Sequence, residues 1–159
     1  MNKSKFRILI GIAAVAVFTC LAFPHIARAY QKRCVAHHFR EFARIRETFN
    51  DFDPSFTDKL VGIRNSDDKL KYHLERLVDW GALKHKTFVF TDIPYTSESF
   101  HRIWQRALVV LPEPVEMRGN WYDEGQPEYG EAPIILDVWC APHELKQWSQ
   151  FVESENVGT

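Results

Sequence analysis

The sequence lacks every complete short motif that identifies a common active site. It has no G-x-S-x-G nucleophile turn, no H-E-x-x-H or C-x-x-C metal pattern, and no glycine loop that would hold a phosphate or a dinucleotide. Glycine is scarce, with seven among 159 residues. These absences exclude an assignment of enzyme class from motifs, so we predict a binding or structural module without a cofactor.

Cysteine is scarce as well, with three in the chain. Cys20 lies inside an apolar segment, which leaves Cys34 and Cys140, one near each end of the remaining chain. We predict two separate buried thiols, and the alternative is a disulfide between them in an oxidising compartment. Twelve Phe, five Trp and five Tyr supply large buried surfaces, so the domain is expected to fold without metal or disulfide.

What the sequence does contain is a long apolar segment directly behind a basic start. The sixteen residues from Ile8 to Phe23 carry no charge. Residues 8–29 together supply the roughly 20 apolar positions with which a helix spans the lipid of a bilayer. The segment also fits a secretory signal peptide cleaved behind Ala29, because Ala27 and Ala29 put small residues before the cut.

We predict that this segment is retained as a single-pass signal-anchor. It runs into a helical pattern that starts near Tyr30, as a stalk would. The usual dominance of a first helix places the body outside the cytoplasm, and the alternative is a secreted or periplasmic protein. The predicted organisation is an anchor at 1–29 and one soluble domain at 30–159. This layout is similar to that of small membrane-anchored proteins of the bacterial envelope.

Charge is distributed unevenly along the body. Residues 30–112 carry 14 basic and 11 acidic side chains, whereas residues 113–159 carry 2 basic and 10 acidic ones. Such a split indicates either a domain whose two ends attract each other or an acidic surface for a basic protein partner. An acidic body is repelled by phosphates, so nucleic acid is not a predicted partner.

Helical periodicity dominates the first half of the body. The predicted helices are 31–50, a short helix from Asp53-Pro54 to about 64, and 68–80. Residues 65–68, Asn-Ser-Asp-Asp, are expected to break the second helix and to cap the third, and Gly81 is expected to end the third.

The pattern then changes to short strands. The predicted elements are a strand at 87–91, a helix at 97–108, a strand at 109–111, a loop at 117–132, a strand at 134–139, a helix that opens at Pro142, and a frayed end at 153–159. Thr96 is the expected N-cap of the 97–108 helix, with Tyr95 and Phe100 as a hydrophobic staple. The predicted class is α+β, in which a membrane-spanning helix continues into a helical stalk and a small, mostly antiparallel sheet packs on helices.

Histidine offers only partial metal sites. His37 and His38 are neighbours on a predicted helix, about 100° apart around its axis, so they cannot face one metal together. His37 and Glu41 lie one turn apart and supply at most half of a site. Solvated helix residues explain them more simply, so no metal site is predicted.

The nearest approach to a catalytic pair is Cys140 with His143, three residues later. A helix that begins just downstream would lower the pKa of the thiol. This pair carries the alternative function, an envelope thiol enzyme or redox protein. The competing interpretation is a buried structural thiol, because Trp139 and Cys140 close an apolar strand.

The predicted loop at 117–132 is the most distinctive surface segment. It interleaves rings with carboxylates, and its candidate binding residues are Trp121, Tyr122, Asp123, Glu124 and Tyr129. Such a mixture stacks on sugars or receives a basic peptide, and long loops in compact domains are frequently functional. The alternative is a covering loop whose rings pack on the sheet.

Overall fold

The computed structural model describes residues 3–50, 57–111 and 114–157. Within them the elements are α1 (Lys3–Asn50), α2 (Thr57–Asp79), β1 (Lys84–Pro94), α3 (Ser97–Val110), β2 (Glu116–Gly119), β3 (Pro133–Cys140) and α4 (Leu145–Val157). The three strands form one antiparallel sheet in the order β1-β3-β2. The predicted α+β class, with a small antiparallel sheet and helices, is confirmed.

The chain divides into two compact units, Met1–His73 and Leu74–Thr159. The first contains α1 and most of α2, and the second contains the sheet with α3 and α4. The predicted domain boundary behind residue 29 stays a prediction.

Helix α1 is continuous through the apolar segment and the predicted stalk. Pro24 lies inside it, although proline cannot donate the intrahelical hydrogen bond at its position. The helix is long and apolar enough to cross a membrane, and its most apolar part is not buried within the fold. Phe18 is 72% exposed, for example. A signal sequence near the N-terminus has the same length and composition.

Helix α2 corrects the predicted break at residues 65–68. Asn65 and Ser66 continue one helix from Thr57 to Asp79. The expected start at Asp53-Pro54 lies outside the described residues. The predicted end is confirmed, since Gly81 has φ +70. Its N–H donates to the Val78 carbonyl, and the next N–H, of Ala82, donates to that of Leu77, which is the Schellman arrangement.

The sheet buries one face against helices. Alternation along β1 and β3 places Phe88, Phe90, Leu136 and Val138 on that face, and all four are buried. The core they join is completed by α3 and α4 through Ile103, Ala107, Trp148 and Phe151. Cys140 is fully buried in the same core, and Cys20, Cys34 and Cys140 are all free thiols. Cys34 is only half-buried, which corrects the prediction of two buried thiols.

Helix α3 begins as predicted. The Thr96 hydroxyl accepts from the Ser99 N–H, and the Ser99 hydroxyl accepts from the Thr96 N–H, which forms a capping box. The Tyr95 and Phe100 rings lie 5.6 Å apart, as a staple requires. The strand predicted at 109–111 is wrong, because α3 continues through Val110.

Two further predictions near the C-terminus need correction. The loop predicted at 117–132 begins with a strand, because Glu116–Gly119 pairs with β3 as β2. The expected fraying from Glu153 is wrong up to Val157, where α4 ends. Glu155 is buried there, and its Oε1 lies 2.6 Å from Arg106 Nη1 on α3. The ion pair joins α3 to the last turns of α4.

Candidate functional site

The segment 120–132 is fastened to the sheet at both ends. The Asn120 side chain donates to the Pro133 carbonyl and accepts from the Ile135 N–H, at 3.0 and 2.8 Å. At the other end, the Gly130 N–H donates to the Tyr95 carbonyl at 2.8 Å, and the Tyr95 N–H donates to the Ala132 carbonyl. We call this segment the aromatic loop. Its backbone is therefore held to β3 and to the end of β1.

Two of its rings point inward. Tyr122 and Tyr129 are half-buried and contact the fully buried Tyr95 edge to face, with ring centroids 5.1 and 5.9 Å away. The Tyr129 hydroxyl accepts from the Ser97 N–H at the start of α3 and donates to Glu124, both at 3.2 Å. These two candidate residues have the geometry expected of a covering loop.

Trp121 points the other way. It remains 58% exposed, although its ring lies edge to face with Phe100 and His101 at 5.8 and 6.0 Å. The indole Nε1–H donates to Asp123 at 3.1 Å, and the Asp123 N–H donates to the Gln126 side chain at 3.0 Å. A large apolar ring is thus held in one orientation while its outer face is open to solvent.

The aromatic loop also carries several carboxylates. Asp123, Glu124, Glu128 and Glu131 are all exposed. Asp123 and Glu124 each accept one hydrogen bond from a ring of the loop, which orients them and leaves acceptor positions free for a ligand. The surface that results combines one fixed aromatic ring with several negative charges.

A shallow groove on α3 borders the loop. It is lined by Ser97, Glu98, His101, Arg102, Gln105 and Arg106. His101 lines the groove and also contacts the Trp121 ring, and its Nδ1–H donates to the Ser97 carbonyl at 2.7 Å. In the neutral imidazole Nε2 is then an acceptor, so the groove adds a polar rim beside Trp121.

The predicted thiol pair has a different environment. Cys140 is fully buried, and that burial, helped by the charge of Glu144, raises the pKa of its thiol. The His143 side chain is 81% exposed, with Nε2 3.7 Å from the Glu144 carboxylate. A buried thiol with a raised pKa holds little thiolate at neutral pH, which argues against a nucleophile here.

A histidine cluster joins α1 and α2, which sequence reasoning treated as separate. His38 Nδ1 and His73 Nδ1 lie 2.9 Å apart, with the His37 and Tyr72 rings nearby. Burial is the main cause of a lowered pKa at His73, and the charge of His38 adds to it. Among the described side chains, no group of three or more His, Cys, Asp or Glu residues could hold a metal ion.

A polar cluster that lies on the outer face of the sheet was not predicted from the sequence. His85 stacks on Trp139 with centroids 4.3 Å apart, and its Nε2 lies 3.0 Å from Asp137. Thr87 donates to the same carboxylate at 2.6 Å, and Arg118 lies over Trp139 at 5.8 Å. The signal available in the sequence was the alternation in β1, which places His85 and Thr87 on one face.

The chain matches no protein-family model, no curated protein and no solved structure. The aromatic loop is therefore the candidate site on its own geometry, and the chemistry it offers is recognition: a fixed ring, oriented carboxylates and a polar groove.

Proposed function

We propose that this protein is a single-pass membrane-anchored module that binds a basic segment of a protein partner outside the cytoplasm. The aromatic loop is the contact surface, with Trp121 as its centre and Asp123, Glu124, Glu128 and Glu131 as its charged rim. The observation that carries the proposal is Trp121 itself, which is 58% exposed yet fixed by Asp123 and packed against Phe100.

The physical argument is preorganisation. Tryptophan is among the residues that most often dominate binding energy at interfaces. A side chain that is already held in one orientation loses little conformational entropy on binding. Here the indole is positioned before a partner arrives, and a complementary cation can lie over its open face.

Charge supports a basic partner over a neutral one. Residues 113–159 carry 2 basic and 10 acidic side chains, and the loop contributes four exposed carboxylates to this excess. Opposite charge accelerates encounter and selects among partners. A neutral sugar would also stack on the indole and donate hydroxyl hydrogen bonds to the carboxylates, but it carries no positive charge for the acidic surface to attract.

Binding can be tested on the full-length chain in detergent micelles. The probes are Lys/Arg-rich peptides, with Asp/Glu-rich peptides of equal length as controls. We expect Trp121→Ala to weaken binding of the basic peptides about tenfold or more, while Trp121→Phe retains part of the affinity. The matched surface control is Val89→Ala, which removes an exposed apolar side chain on the outer face of the sheet.

The outcome that rejects the loop is equal binding by the Trp121→Ala variant and the unsubstituted chain. Preference for acidic peptides, or for oligosaccharides tested in parallel, rejects the basic partner.

Membrane anchorage is tested separately, by mass and fractionation of the protein made in a bacterial host. A retained anchor predicts an intact mass that includes residues 1–29 and recovery with membranes. A mass that begins at Tyr30 in a soluble periplasmic fraction replaces the anchor by a cleaved signal. External protease tests on which side of the membrane the body lies. A body outside the cytoplasm is digested in intact cells whose outer membrane has been permeabilised.

The alternative function, an envelope thiol enzyme that uses Cys140 with His143, gains no support from the burial of the thiol. The rate at which that thiol is alkylated in the folded protein distinguishes the two functions.

A further inference from the structure

Helix α3 ends in an apolar tip. Leu108, Val109 and Val110 are 49%, 84% and 63% exposed. Successive residues of a helix point about 100° apart, so these three cover most of the helix circumference, while Ala107 and Leu111 are buried in the core. Soluble surfaces usually scatter exposed apolar residues singly, and a contiguous group marks a contact surface.

Cations lie on the same face, closer to the start of the helix. Arg102 and Arg106 precede Val109 by seven and three residues, which places all three along one side of α3. Both arginines are exposed, and Arg106 also forms the ion pair with the buried Glu155. An apolar end next to arginines is the composition of segments that enter the headgroup region of a bilayer.

The first unit brings the chain back toward the predicted anchor. His73 on α2 contacts His38 on α1. If the two helices ran side by side in parallel, Asn50 and Thr57 would lie about 42 Å apart. The seven steps of chain between them span at most about 25 Å. Helices α1 and α2 are therefore antiparallel.

The antiparallel direction of α2 determines the level along α1 at which the first unit ends. His73 is level with His38, which stands about 14 Å along α1 from Ala29, the end of the predicted anchor. The chain leaves the first unit at His73 while running toward the bilayer.

We infer that the tip of α3, formed by Leu108, Val109 and Val110, is a second membrane contact that inserts into the headgroup region of the bilayer to which the chain is anchored. The inference rests on the anchor of the proposed function and not on the aromatic loop. Tethering supplies a high effective concentration of lipid, so a small apolar tip suffices for a contact that it could not hold alone. Arg102 contributes attraction to anionic headgroups.

The experiment uses the full-length chain reconstituted into vesicles of phosphatidylcholine with a minor share of phosphatidylglycerol. A polarity-sensitive fluorophore is attached at one cysteine, and quenching by nitroxide-labelled lipids is measured. The test position is Val109→Cys, and the matched control is Val89→Cys, both made with Cys20→Ser and Cys34→Ser. Native Cys20, labelled in a Cys34→Ser chain, reports the anchor. The buried Cys140 is retained and stays unlabelled.

We expect shallow nitroxides to quench the label at 109 at least about threefold more strongly than the label at 89. Arg102→Gln should reduce that quenching about twofold in vesicles with phosphatidylglycerol and leave it unchanged in pure phosphatidylcholine.

Three outcomes would overturn the inference. Equal quenching at 109 and 89, with Cys20 quenched, shows that the chain is anchored but that the tip does not touch lipid. A blue-shifted label at 109 that lipid nitroxides do not quench shows that protein covers the tip. Absence of quenching at Cys20 shows that the anchor itself has failed, which separates this result from the other two.

Discussion

Thr87 and Asp137 face each other across β1 and β3, and the Thr87 hydroxyl donates a 2.6 Å hydrogen bond to the Asp137 carboxylate. The same carboxylate oxygen lies 3.0 Å from His85 Nε2. Because a carboxylate only accepts, the imidazole is the donor. The Asp137 carboxylate on β3 thus binds two side chains of β1 that precede it by 50 and 52 residues.

Asp137→Ala should therefore destabilise the protein. We expect a loss of about 1 kcal/mol in the free energy of unfolding, since Asp137 is partly exposed and water replaces part of each bond. Chemical denaturation of the full-length chain in micelles measures it. In a double-mutant cycle Thr87→Val should cost less in the Asp137→Ala background. Purely additive losses would show that the bond does not contribute.

Stability should depend on pH through His73. One imidazole of the His38–His73 contact donates and the other accepts, so protonation of both removes the bond and adds repulsion. Burial first, and then the charges of His38, His37 and Arg44, lower the pKa of His73, while Glu41 opposes them. The Tyr72 ring also lies beside His73, with ring centroids 5.2 Å apart.

The sign follows from linkage. With the folded pKa of His73 below the unfolded value of about 6.5, the unfolded state binds more protons at acid pH. The contribution is fully present above about pH 6.5 and is lost as pH falls toward the lowered pKa. Denaturation at a series of pH values measures this slope. His73→Gln should flatten it, and the exposed-site control His143→Gln should not. An unchanged slope in His73→Gln would contradict the assignment.

Gly119 is predicted to tolerate no side chain. A Cβ at this position would lie 2.5 Å from the Phe100 ring and 3.3 Å from Leu136. Gly119→Ala should cost about 1–3 kcal/mol, because the ring must shift within a packed core. Phe100 also contacts Trp121, so tryptophan emission should change when the Phe100 ring shifts.

Phe100→Leu supplies the control for steric conflict. It removes the ring atoms that Cβ would meet, so Gly119→Ala should cost clearly less in that background than in the unsubstituted chain. An equal cost in both backgrounds would assign the loss to the backbone of β2 and not to the clash.

Cys140 should resist alkylation in the folded protein. Its thiol is buried and its pKa is raised, so both access and thiolate content are low. We expect labelling at least about tenfold slower than at the half-buried Cys34, with equal rates after denaturation. Mass spectrometry of each cysteine peptide follows the rates. Rapid native labelling of Cys140 would instead revive the thiol-enzyme alternative.

Local patterns predicted the parts of the fold that local hydrogen bonds decide. The capping of α3 by Thr96 and the end of α2 at Gly81 are satisfied within a few residues, so their residue types predicted them. The strands β1 and β3 were found because β-branched and aromatic residues are concentrated there. The interleaving of rings and carboxylates at 117–132 also marked the aromatic loop as a surface segment.

Where a local preference was weak, contacts with residues distant in the sequence decided the secondary structure. The residues at 65–68 each lower helix propensity by at most about 0.7 kcal/mol, which the continuous helix α2 tolerates. Val109 and Val110 favour strands, yet they extend a helix that buries Ala107. The four residues of β2 carry no strand signal of their own and pair because β3 has a free edge.

The sequence by itself determined the apolar N-terminal helix, the α+β class and the acidic, aromatic character of the loop, because composition and periodicity are properties of the chain. Only the tertiary structure decided that Trp121 faces solvent while Tyr122 and Tyr129 face the core, and that His38 meets His73. Those facts depend on strand register and helix packing, which join residues far apart along the chain and leave no local pattern.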